Sequence, residues 1–512
     1  MKRFLLYAAI LILISVVVGR AIMEHNNQPQ DLSLRVAFPY DKPVSFYEPT
    51  NIHLAPEYFF LEYIYSPIVE VGKEGELAPA VAESFEWKGD DLHLKIRDDL
   101  TTVSGTKITA DDVVFSLKRL LVKTGNTHGD FRALVCGDHP ITSVNDACPG
   151  IVTQGRTVIL KAGMRKTFLL PMLAAIDFAI IPRSSVDPTT LKITNYKETS
   201  GPYYVSDDDG KGNVVLKANP KHFHYSDKMP QTVYLVPTDP KNMTASLSNF
   251  KEGKVDFITT IDAARPEHVI DFSREVSNSK LHTTMNIRSF VLVFTKRGLT
   301  ELSQSQRVAI GKKVKEAFLK GFKDASGYQE SFQYFPSFAD GGLAKDEVAE
   351  LQDRQNKADA PLPKGLKLVA VRVGDKEKFV NMFKDVLPEG DVDVGSPPEF
   401  TKYDRPEDMP HMFLGGPDTG FLEDIGLISY SLSAGIFGMT KAEREIWLSK
   451  YMTITSKEER LEKLHALHKQ VLTEPVIIPL MVAPYVALIK KGWALDFPQY
   501  YGNSPLWLIR KI

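Results

Sequence analysis

Apolar positions along the chain switch between a period of two and a period near 3.6, and the switches mark out its elements. Phe85 and Trp87 alternate with Ser84 and Glu86, and Leu92, Leu94 and Ile96 alternate with His93 and Lys95. Both runs have the pattern of half-buried strands, and Lys88-Gly89-Asp90-Asp91 between them supplies the turn. A turn-rich piece from Asp98 to Gly105 leads into Thr109-Ala110-Asp111-Asp112, where Thr109 caps a helix and Asp112 answers it from the third helical position. Val113, Leu117, Leu120 and Leu121 share one face of that helix, with Lys118, Arg119 and Lys123 near the negative end of its dipole.

The same reading extends along the chain. Leu32 to Phe38 forms a first strand, and the loop from Tyr40 to Asn51 follows it. Residues 55–69 are helical, with a stripe of Phe59, Phe60, Tyr63 and Ile64. Thr157 to Lys161 is a strand, Thr167 to Ala175 a helix, and Tyr203 to Lys217 a hairpin turning at Ser206 to Gly212. Residues 231–237 form a strand, Met243 to Glu252 a helix stopped by Gly253, and Val255 to Ile258 a short strand. The continuous apolar run Val291 to Thr295 predicts a fully buried strand, followed by a helix from Ser303 to Phe322. A strand (Leu366 to Val373), a helix (Lys376 to Leu387) and a strand (Val392 to Val394) make an α/β unit, whose ligands sit outside the strand ends. Lys457 to Leu472 is amphipathic: Leu461, Leu464, Leu467 and Val471 line one side, and His465 and His468 are expected on the polar side.

At 512 residues the chain exceeds one ordinary core, so two or more lobes are expected. The 43% hydrophobic and 25% charged contents are those of a soluble globular protein, and a net charge of −2 gives no footprint for nucleic acid. Lys2 and Arg3 precede an apolar run from Phe4 to Val18, the pattern of an export signal. No clean cleavage site follows, so residues 1–24 read as a signal peptide or a retained N-terminal anchor, with the body exported in either case. In an exported protein Cys136 and Cys148 read as one local disulfide closing a surface loop. No G-x-S-x-G, H-E-x-x-H, P-loop or dinucleotide fingerprint assembles a catalytic site, and no metal or cofactor set is evident. His222 and His224 alternate along one strand but lack a third ligand, and read as packing aromatics.

Several phrases carry a resemblance. Pro79, Ala82, Trp87, Ile96-Arg97, Gly105 and Thr109-Ala110-Asp111-Asp112-Val113 follow in order and spacing the signature of the extracellular solute-binding proteins of family 5, the peptide and nickel receptors of ABC importers. The family usually has Asp-Gly where this chain has Ser104-Gly105. Thr199-Ser200-Gly201-Pro202-Tyr203, Asn219-Pro220 with His222-Phe223, Arg307-Val308-Ala309-Ile310 and Ile478-Pro479-Leu480 resemble further phrases of that family.

The resemblance implies an α/β, two-lobe periplasmic binding protein-like II fold with an extra subdomain in lobe I. Lobe I would span 31–278, with the subdomain at about 55–190; lobe II would span 279–475, and 476–512 would return to lobe I. It implies a periplasmic monomer, not an enzyme, that takes short peptides and works with ABC permease subunits. A nickel chelate, sugar or opine is the alternative solute, and an anchored sensor or envelope protein the alternative role. The ligand-binding candidates are Phe46, Tyr47, Tyr65, His411 and Asp418. Asp418 is expected to hold a peptide's amino group, with Asp424 as its rival.

Overall fold

The computed structural model describes residues 31–512 except 53–54, 74, 126–128, 138–139, 162–165, 240–241, 243, 260–265, 323–325, 372–375, 385, 388, 396–408, 418–423, 434 and 500–503. The expected export segment, residues 1–24, therefore lies outside the described residues. Among the described residues no helix is long and apolar enough to cross a membrane.

The first strand, Ser33–Phe38, sits inside a seven-stranded sheet. Across that sheet the order is Ser279–Thr283, Val486–Lys490, Phe257–Thr259, Ser33–Phe38, Thr232–Pro237, Val214–Ala218 and Tyr203–Asp208. Ser33–Phe38 runs parallel to both of its neighbours, and the remaining pairs are antiparallel. One face carries the main core around Val36, Phe60, Tyr203 and Leu235, and the other a smaller one around Ala37, Phe250 and Val269.

A second sheet has six strands in the order Gln329–Glu330, Ile477–Ala483, Arg288–Phe294, Met412–Gly415, Lys367–Val371 and Asp391–Gly395. The run predicted as a buried strand is its middle member, buried from Ser289 to Phe294. Period two still operates within it. Val291 and Val293 feed one core, while Phe290, Leu292 and Phe294 feed the other.

A four-stranded sheet, Ala82–Lys88, Asp91–Ile96, Thr157–Lys161 and Ile151–Gln154, forms the inserted subdomain with the helix Ala110–Lys123. Leu92, Leu94 and Ile96 are buried there, but Trp87, near the strand end, is 36% exposed. The expected capping box forms between Thr109 and Asp112. The Asp112 carboxylate accepts both the N–H of Thr109 (2.9 Å) and its hydroxyl (2.8 Å), and its other oxygen accepts the Arg183 N–H at 3.0 Å. One side chain thus starts the helix and fixes the returning segment. Cys136 and Cys148 are bonded as expected, yet both pack in the subdomain core rather than on a surface loop.

Strand pairing places the crossings between sheets differently from the expected boundaries. Ser279–Thr283 still pairs in the first sheet, and Ile477–Ala483 still pairs in the second. The chain crosses at 284–287 and returns at 484–485. The phrase Ile478-Pro479-Leu480 therefore belongs to the second sheet. A strand's own pattern does not say which sheet receives it, because either sheet can bury the same apolar face.

Candidate ligand-binding site

The two crossings lie side by side and are tied together: Thr284 N–H donates to Tyr485 O at 3.0 Å, and Tyr485 N–H to Thr284 Oγ1 at 2.9 Å. A pair of short adjoining segments between two packed sheets is the geometry of a hinge. In the first sheet the parallel strand Ser33–Phe38 releases the loop carrying Tyr40, Phe46 and Tyr47 at its carboxyl end. In the second, Met412–Gly415, parallel to Lys367–Val371, releases Gly416-Pro417. The Ser289 N–H donates to Pro417 O at 3.0 Å, which holds that loop against the strand emerging from the hinge. Loops at the carboxyl ends of strands are where an open α/β sheet takes its ligand.

The candidate residues divide sharply in this frame. Phe46, closing a short turn, is 57% exposed, and the Lys42 amine lies 5.7 Å from its ring centre. Tyr47 next to it is 1% exposed and stacks on Phe60 at 4.0 Å, with Tyr40 edge-on at 5.5 Å. Tyr47 is thus a packing residue of the lobe. Tyr65 is equally buried, and its hydroxyl has no hydrogen-bond partner among the described residues. His411 is held inside the second lobe. Its Nδ1 accepts the Lys367 N–H (2.9 Å), so the ring proton is on Nε2 and is donated to Glu301 at 3.0 Å. Burial lowers its pKa, which favours the neutral ring that this bonding requires. Asp418 lies outside the described residues. Its rival Asp424 is engaged in its own lobe: the same carboxylate oxygen takes the Arg460 Nε–H (2.7 Å) and the Tyr451 hydroxyl (2.6 Å).

A cavity of about 210 Å³ opens within the first lobe, lined in part by Tyr65, Ser66, Glu70, His224 and Trp507. Its polar walls are paired internally: Glu70 with His224, Ser66 with His222, and Lys73 with Asp496. The Ser66–His222 contact, at 2.9 Å, has the heavy-atom geometry of a nucleophile and its base. Its polarity is the reverse. His222 Nδ1 accepts the N–H of His224 at 3.1 Å, so Nε2 bears the proton and Ser66 is the acceptor. Burial keeps that ring well below its usual pKa, hence neutral. His224 turns to Glu70 and stacks on Trp507, so the two histidines do not converge on a metal. Among the described residues no group of three His, Cys, Asp or Glu could hold one.

Sequence reasoning did not single out Thr284 as half of the hinge tie. Its backbone and hydroxyl pair with a residue about 200 positions away, at Tyr485, and nothing local announces that.

The fold is that of the two-lobe periplasmic binding protein-like II class. Residues 76–318 match the family model described as bacterial extracellular solute-binding proteins, family 5 Middle. That stretch carries the signature phrases from Pro79 to Val113, so the resemblance they imply is borne out over residues 76–318. Similar solved structures include Haemophilus influenzae OppA in complex with RPPGFSPFR, at 14% identity over 94% of this chain and 99% of that one, TM-score 0.68. The Escherichia coli murein tripeptide-binding protein MppA gives 16% identity, 94% and 98% coverage, and TM-score 0.68. AgaA from A. tumefaciens R10 in complex with agropinic acid gives 15%, 94% and 99%, and 0.70. No curated protein sequence matches the chain.

Proposed function

We propose that the protein is an extracytoplasmic monomer that captures short peptides between its two lobes and hands them to the permease of an ABC transporter. The lobes in this reading are 31–283 with 486–512, and 288–483, closing about the crossings at 284–287 and 484–485. The observation that carries it is the meeting of loops at the hinge: the segment leading into Asp418 is fastened at Pro417 to the first residues beyond the crossing. An extended peptide lying there can pair with main-chain groups whatever its side chains. Its ammonium needs a carboxylate partner once desolvated, and Asp418 takes that role. Asp424, neutralised by Arg460, is not available for it. Phe46 supplies an exposed aromatic face at the rim. The related complexes support the class only, since OppA and AgaA hold ligands as unlike as a peptide and agropinic acid.

The test is thermal unfolding with pools of di- to pentapeptides, set against opines and nickel–histidine chelates. Peptides should raise Tm increasingly with their concentration, and Asp418→Asn should weaken free-amino peptides more than their acetylated forms. Stabilisation by a chelate or opine with none by peptides would replace the peptide reading, and equal loss for both peptide forms would remove Asp418 from its role.

A further inference from the structure

Two side chains reach from one lobe into the core of the other. Met172, the last residue of the helix Lys166–Met172, packs on the subdomain core and also on the second-lobe cluster that includes Leu427, Ile428 and Leu432. Its helix lies beside Asp424–Ser433, the second-lobe helix that carries those residues. Phe338 makes the reciprocal contact. It belongs to the second lobe by sequence and packs on the main core of the first.

Phe338 is presented by a braced segment. Ala339 N–H donates to Pro336 O at 3.1 Å, which makes a turn with Phe338 near its tip. His468 grips this turn from behind: its Nε2 accepts the N–H groups of Tyr334 (3.0 Å) and Phe335 (3.3 Å), and its Nδ1–H donates to Gly341 O at 2.8 Å. Gly341 has φ +85°, a backbone conformation that favours glycine, and the Leu464 side chain lies against it, 2.8 Å from where a Cβ would stand. One polar contact also joins the lobes, Ser326 Oγ to Asp271 Oδ1 at 2.8 Å, and Asn286 Nδ2 in the crossing donates to Gln329 Oε1 at 2.8 Å.

Met172 and Phe338 are only partly buried, unlike the core residues they touch. They have the character of a contact that can be made and released: each covers apolar surface on a lobe that is already folded without it. Methionine suits such a role because its flexible thioether adapts to either packing. We propose that Met172 and Phe338 form a reciprocal apolar latch that holds the lobes together and so sets the fraction of closed molecules. Through that fraction they set the affinity for the solute, because apparent affinity scales with the population of the binding-competent form. The last step rests on the two-lobe binding reading; the latch itself does not.

The test is small-angle scattering of the ligand-free full chain. Each truncation to alanine removes part of the interlobe apolar contact and is expected to move the open-to-closed ratio about tenfold, and the pair about a hundredfold. Met172→Ala/Phe338→Ala should therefore show a larger radius of gyration than the wild type, while Met172→Leu/Phe338→Leu should keep the wild-type value. Scattering of the alanine pair that superimposes on the wild type would overturn the latch. If that pair fails to fold, each single variant is read in the same way, with thermal unfolding confirming an intact fold. Peptide affinity is measured separately: a protein that opens on truncation but binds no peptide sustains the latch and removes the peptide reading.

Discussion

Arg119 shows how far a side chain's position on a helix can mislead about its environment. It lies near the carboxyl end of Ala110–Lys123, where a cation faces the dipole, yet its side chain is 1% exposed. The guanidinium is satisfied by both oxygens of Glu48 (2.9 and 2.6 Å) and, through Nε, by Leu191 O at 2.9 Å. Glu48→Ala leaves that charge buried without its partner and is expected to lower unfolding stability by about 3–5 kcal/mol. Asp353→Ala, which breaks an exposed pair with Lys357, should leave the urea midpoint unchanged. Equal effects of the two substitutions would show that Arg119 finds solvent. His468 makes a pH-dependent counterpart. Burial pushes its pKa down to about 4, so the folded protein holds it neutral where the unfolded chain would begin to protonate it. Its contribution is complete above the unfolded value near 6.5 and is lost as pH falls from there to about 4, in all about 3 kcal/mol. Protonation would put a third N–H against Tyr334 and Phe335, where an acceptor is required. His468→Gln should reduce this slope in stability measured between pH 6.5 and 4, leaving the shares of His222, His282 and His411, whose pKa values burial also lowers; a slope equal to that of the wild type would exclude His468 as a source.

Among the elements, the turn before Tyr203–Asp208 carries a severe steric demand. Gly201 gives its N–H to Ile64 O at 3.0 Å, and a Cβ would stand 2.3 Å from the Ile64 carbonyl carbon and 2.5 Å from Tyr65 N. A tight turn is the natural reading of Gly-Pro, but the reason for glycine here is the helix Ala55–Ile64 ending against it. Gly201→Ala must displace backbone on one side and is expected to cost about 1–3 kcal/mol. Gly415→Ala, whose Cβ meets only Pro417 Cδ at 3.8 Å, is the matched control and should leave Tm unchanged. Equal Tm values for the two variants would mean that the Gly201 contact relaxes freely. The same helix–turn junction buries Ser66 and Ser200, which bond each other at 3.0 Å and so knit the subdomain's entry to the first sheet.

For the whole molecule, the crossings permit the proposed closure and the proposed latch biases it. Two sheets with separate cores are joined through 284–287 and 484–485, so one can rotate on the other without unmaking either core. The interlobe apolar contacts then supply a bias of modest size, which ligand binding adds to rather than creates.

What the sequence determined by itself were the features governed by neighbours in the chain. Strand and helix types, the capped helix at Thr109, the buried run at Val291 and the family phrases all depend on local spacing, and the structure contains each of them. Tertiary structure decided the rest. Phe46 and Tyr47 are adjacent and similar in hydrophobic character, but only Tyr47 has Phe60 to stack on. His411 and Asp424 looked free to meet a ligand until Lys367, Glu301 and Arg460 were brought beside them. His468, expected on a polar helix face, is enclosed by a segment more than 120 residues earlier. The sheet to which a strand belongs was likewise undecided, because its apolar face is complementary to more than one core. Burial and pairing are properties of two distant pieces of chain at once, so one piece read alone states the need for a partner without naming it.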